Sequence, residues 1–113
     1  MRKVSLFAFL GVLMAASSGH ASDAGPGYVS SILITPEGVV LFSVSGPRTT
    51  PPSCQGTGLG ARWGFNGATP AGQVKLATIL SAFSMHKPIG ITGSGACTDW
   101  GDTETPTYIS MNE

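Results

Sequence analysis

Residues 28–45 read YVSSILITPEGVVLFSVS, and their pattern decides the fold class. The first half, residues 28–35, is rich in β-branched and aromatic side chains, which suit a pleated, half-buried surface. Pro36-Glu37-Gly38 breaks the run with turn residues. In residues 39–45 the set Val40, Phe42 and Val44 alternates with Leu41, Ser43 and Ser45, the period of a strand with one face buried. Two such runs across a three-residue turn ending in glycine predict a β-hairpin.

Outward from the hairpin, residues 46–53 (GPRTTPPS) carry three prolines, which remove ladder donors and predict an exposed loop. Residues 60–65 predict a third strand with Ala61, Trp63 and Phe65 on one face, and Gly64 placed for a bulge or a close backbone approach. Thr69 as cap, Pro70 at the first helical position and Leu76, Ile79, Leu80 and Phe83 at helical spacing predict one helix over 70–86. Pro88 stops it. Short strands follow at 89–92 and 107–111, separated by a Gly93-Ser94-Gly95 turn. The expected order is β-β-β-α-β-β, a mostly β domain with five strands and one helix. Its expected core is Ile32, Ile34, Val40, Phe42, Trp63, Leu76, Ile79, Leu80, Phe83, Ile91 and Ile109.

The N-terminus carries a different signal. Arg2 and Lys3 precede an uncharged apolar run over 4–16, and Gly19-His20-Ala21 supplies the small residues a signal peptidase reads. That run, about 13 residues, is shorter than the roughly 20 needed to span a membrane. Residues 1–21 are therefore read as a cleaved signal peptide. The residue directly after the cleavage site is Ser22 and not a cysteine, which argues against a lipid anchor. Residues 22–27 are read as a mobile lead-in and residues 28–113 as a single small domain, destined for the periplasm or the exterior.

The mature chain would hold four basic and six acidic residues, a formal net of −2. That balance excludes the concentrated basic face of a nucleic-acid binder, and it does not suit a membrane surface. A chain of this size buries only a little over ~60% of its unfolded surface, so a covalent staple matters. Cys54 and Cys97 are the two cysteines. In an exported chain an even count reads as a disulfide. Closing a loop of this length contributes ~4 kcal/mol in the chain-entropy model. No CxxC spacing is present, and His86 is the one histidine of the mature chain, so a metal or redox pair lacks its other parts.

Asp99-Trp100-Gly101-Asp102-Thr103-Glu104 gathers three carboxylates. It lacks the ligand register of a dedicated calcium loop, and acid–base chemistry would need a cleft. The simpler reading is a solvated turn. Trp63 and Trp100 each lie near a cysteine. They either pack against the bridge or form an aromatic platform for a sugar ring, with Asp99, Asp102 or Thr98 bonding its hydroxyls. His86 stands alone at a helix end, no Gly-x-Ser-x-Gly surrounds a serine, and Gly93-Ser94-Gly95 lacks the lysine of a phosphate loop. The expectation is a protein without catalytic residues, cofactor or metal.

From Cys54 onward the layout resembles a known group. Cys54 precedes Trp63 by nine residues, an amphipathic helix spans 74–86, Lys-Pro-Ile-Gly-Ile follows at 87–91, and Cys97 leads into Thr98-Asp99-Trp100. This layout is similar to small exported bacterial proteins that resemble the B subunits of subtilase-cytotoxin and pertussis-like toxins. The resemblance implies a five-stranded OB-like barrel or strongly curved sheet plugged by the helix, glycan binding and ring-forming homo-oligomers. The chain departs from that group in its single cysteine pair, shorter strands and glycine-rich third strand, and no glycan-contacting residue is carried over. The functional expectation is a non-enzymatic exported binding module for a carbohydrate or another protein. The alternative is a periplasmic structural or inhibitor protein that docks on a protein partner.

Overall fold

The computed structural model describes residues 20–112; of the stretch 1–21 read as a signal peptide, residues 1–19 lie outside the described residues. The elements are β1 (Asp23–Gly27), β2 (Val29–Ile34), β3 (Val39–Val44), β4 (Arg62–Asn66), α1 (Pro70–Met85), β5 (Ile89–Gly93) and β6 (Pro106–Met111). Mostly β with one helix and one disulfide, the protein has six strands instead of five. The added one, β1, occupies the stretch read as a mobile lead-in. Its residues, DAGPG, have no strand propensity of their own. They are extended because β5 pairs with them, through Asp23↔Thr92 and Ala24↔Ile91.

The strands form two three-stranded antiparallel sheets, ordered β1-β5-β6 and β2-β3-β4. The expected barrel does not close, because no ladder joins one sheet to the other. The β2–β3 hairpin forms as its pattern requires. Gly38 takes φ +86° at the turn, a value open to glycine, and Thr35 N donates to Val39 O at 2.9 Å. The register sets Ile32 opposite Phe42 and Ile34 opposite Val40. On the other side of β3, Phe42 faces Trp63 and Val40 faces Phe65. Directly opposed residues share a face, so this row forms the inner surface of the sheet. One core cluster joins it to Ile79 and Ala82 of α1 and Ile89 and Ile91 of β5. Phe42 and Phe65 meet edge to face with centroids 5.8 Å apart.

The ends of α1 follow their sequence signals. Thr69 Oγ1 accepts from Gly72 N at 3.0 Å, and the helix closes at His86 in the left-handed region. The His86 ring stacks on Tyr28 at 4.1 Å between centroids, tying the helix end to the start of β2. Its buried face, however, differs from the expected one. Gly72, Ile79 and Ala82 are buried and Leu76 is half-buried, while Leu80 and Phe83 are 44% and 50% exposed. A Cβ at position 72 would overlap the Asn66 carbonyl oxygen. The helix therefore comes closest to the sheet at a glycine, and this turns its contact line toward the small residues. Ile34, also expected inside, is 55% exposed because it ends a strand at the margin of its sheet.

Gly72→Ala tests this packing. Alanine raises helix propensity by about 1 kcal/mol, yet here it must displace backbone, and overpacking costs about 1–3 kcal/mol. The substitution is expected to lower stability in a urea titration; a gain would show that α1 does not rest on Asn66.

Candidate functional site

The acidic loop is the natural starting point, and its three carboxylates part company. Asp99 Oδ2 accepts from Asn66 N at 2.9 Å. Asp102 pairs with the Arg62 guanidinium at 2.5 Å at the surface. Glu104 is wholly buried. Among the described residues no group of three His, Cys, Asp or Glu is placed to hold a metal ion. The reading of this loop as a solvated turn is corrected at Glu104, which is the anchor of a buried polar knot.

Arg48, from the proline-rich loop, is the other half of that knot. Its Nη2 donates to Glu104 Oε1 at 2.9 Å and its Nε to Ser22 Oγ at 3.0 Å. Nη1 takes the carbonyls of Gly60 and Arg62 at 2.8 and 3.1 Å. Burial pushes the Arg48 pKa below its ordinary value, and the hydrogen bond and charge of Glu104 oppose that shift. Glu104 also accepts from Ser22 Oγ, from Ser22 N at 3.1 Å and from Gly95 N at 2.9 Å. Position 93 must lack a Cβ, which would overlap Glu104 Oε2. Charge-assisted bonds on both carboxylate oxygens are the condition under which a buried pair can hold. The knot bonds β4 to the loop before β6 and to the start of β1.

Trp63 lies beneath this knot. It is 0% exposed, with the Arg48 guanidinium 3.8 Å from its ring centroid, so its ring offers no face to a sugar. Trp100 is half-buried on the outer side of the β2-β3-β4 sheet, where its Cβ and the Thr103 methyl lie over Gly64. Thus the structure brings Asp99 and Trp100 to the same sheet, sends Asp102 to Arg62 and buries Trp63. Cys54 and Cys97 are joined as expected. Arg48 and Ser22 were missed by sequence reasoning, since a lone arginine between prolines and a serine in a polar lead-in carry no signal of burial.

The surface divides along its strand edges. The outer edge of β4 is engaged by Arg48 and Gln55 on Arg62 O, by Glu104 O on Gly64 N and by Asp99 on Asn66 N. The outer edge of β1 is met by Pro47 O and Thr49. No partner among the described residues meets the outer edge of β2, or of β6 over 107–111. These two strands flank α1. Lys75 Nζ donates to Pro106 O at 3.1 Å, so that flank of the helix faces β6. Leu80, about 140° around the helix from Lys75, lies on the flank toward β2. Ile34 of β2, with Leu80 and Phe83 of α1, are large apolar side chains exposed on that side, while Leu33, opposite Leu41, is exposed on the outer face of the same edge strand. On the opposite face of the other sheet, Asp23, Thr92 and Tyr108 stand in one cross-strand row, and Tyr108 is 69% exposed.

A hollow of about 350 Å³ lies between residues 24–26, residues 88–90 and Asn112, and it is lined by no titratable side chain. No helix among the described residues is long and apolar enough to cross a membrane. No family model, curated protein or solved structure matches the chain.

Proposed function

We propose that this protein is a non-enzymatic, exported binding module that docks on another protein through the open edge of β2 and the adjoining Leu80–Phe83 flank of α1. The observation that supports this reading is the unequal treatment of four sheet edges. Proteins blunt edges with charge, proline or a covering segment, and β1 and β4 are covered here. The β2 sequence VSSILI carries no charge and no proline, and its backbone stands open beside exposed leucine, isoleucine and phenylalanine. An extended segment of a partner can add to such an edge by main-chain bonds while its side chains rest on the apolar flank. A second copy of this chain is the other occupant of that geometry, and it would give the oligomer that the toxin-subunit resemblance implies.

Ile34→Lys separates docking from folding. The side chain is exposed, so stability should change by no more than about 0.5 kcal/mol. The wild-type protein is expected to retain one stoichiometric exported partner, or to run above monomer mass in light scattering, and Ile34→Lys to do neither. A wild-type monomer with no partner, or a variant that binds like wild type, would remove the reading.

Carbohydrate binding is the second reading, and the Asp23–Thr92–Tyr108 row is what favours it. An exposed tyrosine next to the Thr92 hydroxyl, with the Asp23 carboxylate one strand further along the row, provides a stacking surface with hydrogen-bonding groups in line with it. On a glycan array Tyr108→Ala is expected to abolish signal and Ile34→Lys to keep it; an array blank for the wild type ends this reading.

A further inference from the structure

Position 22 is held in an unusual way for a residue in a polar lead-in. Ser22 is wholly buried, whereas Ala21 before it is exposed. Its Oγ meets Glu104 Oε1 and Arg48 Nε, and its carbonyl accepts from Gly93 N at 2.7 Å. Its backbone nitrogen points at Glu104 Oε2, 3.1 Å away. The sequence, independently, places a signal-peptidase site between Ala21 and Ser22.

We propose that hydrolysis of the Ala21–Ser22 bond is a maturation step that completes this knot, because it places a new α-ammonium group on the buried Glu104 carboxylate. The inference rests on the export reading. In the step, water adds across the peptide bond. Its hydroxyl goes to the Ala21 carbonyl carbon, the C–N bond breaks, and the nitrogen leaves with the proton; proton transfer then yields the Ala21 carboxylate and the Ser22 ammonium. An α-amino group is largely protonated at pH 7. Before cleavage the nitrogen is a neutral amide donor. After it, the same atom carries a full charge at hydrogen-bond distance from Oε2, while Arg48 holds Oε1. Bonds between charged partners are roughly twice as strong as neutral ones. Departure of Ala21 opens the solvent side of the nitrogen, so the ammonium keeps water on one side and the carboxylate on the other. The cleaved chain is thereby a better fold than its precursor, which suits a polypeptide that must cross a membrane unfolded.

The test compares three forms of the oxidised protein: one starting at Ser22, one retaining Ala21, and one starting at Ser22 but acetylated on its α-nitrogen. The free Ser22 form is expected to melt about 4–8 °C above the other two, the shift that a modest charge interaction produces in a domain of this size. Its α-amine is expected to be acylated several-fold more slowly in the folded protein than in denaturant. In a Glu104→Gln background the three melting temperatures should converge; if that variant does not fold, the acetylated form against the free one still decides. Intact mass of the exported product separates the two layers of the argument. A product beginning elsewhere than Ser22 overturns the cleavage site. A product beginning at Ser22 whose melting temperature is unchanged by acetylation or by Ala21 overturns the ion pair alone.

Discussion

Glu104→Ala is expected to destabilise the protein by about 3–5 kcal/mol, the range found when one partner of a buried ion pair is removed. Four donors lose their acceptor at once: Arg48 Nη2, Ser22 N, Ser22 Oγ and Gly95 N. The larger part of the loss is the Arg48 guanidinium, which cannot shed its charge and would sit beside Trp63 without a counter-ion. Since a small domain has a net stability of only about 5–15 kcal/mol, the variant should unfold at far lower urea. Replacing Arg48 and Glu104 together by apolar residues should cost less than Glu104→Ala alone, because no uncompensated charge remains. A loss below about 1 kcal/mol for Glu104→Ala, the scale of an exposed pair, would show that the knot is open to water.

Severing the Cys54–Cys97 bridge is the second large effect. The two positions are separated by 43 residues, and opening such a loop returns about 4 kcal/mol of chain entropy to the unfolded state. The bridge ties the segment before β4 to the segment before the acidic loop, and that loop supplies Asp99, Thr103 and Glu104 to β4. Cys54→Ser/Cys97→Ser is therefore expected to fall in urea midpoint without losing the β-rich signal in circular dichroism. Reduction of the wild type should reproduce the shift. A midpoint unchanged by reduction would mean that the loop is already constrained in the unfolded chain.

How far the molecule was legible in its residues differs from element to element. The β2–β3 hairpin and the ends of α1 were legible, because a period of two, a turn glycine, an N-cap threonine and a stopping proline act within a few residues of where they stand. The disulfide was legible from the even cysteine count, once the apolar N-terminal run was read as an export signal. The strand β1 was not, since DAGPG becomes a strand only by pairing with β5, more than sixty residues later. The helix face was misjudged for a related reason. Spacing put Leu80 and Phe83 in the core, but the depth of contact is set by the glycine at 72 against Asn66. The candidate site shows the same division. Asp99, Asp102 and Glu104 look alike in the chain, yet one binds an edge amide, one a surface arginine and one a buried arginine.

What the residues determined unaided were the hairpin, the helix limits, the bridge and the mostly β class, all set by local periodicity, turn chemistry and covalent pairing. The tertiary structure alone decided that the strands split into two sheets instead of closing, that Glu104 and Arg48 go inside while Ile34, Leu80 and Phe83 stay out, and that two edges remain open beside the helix. Those outcomes depend on which distant segments meet, and a buried charge or an uncovered edge is a property of the meeting, not of any residue in it.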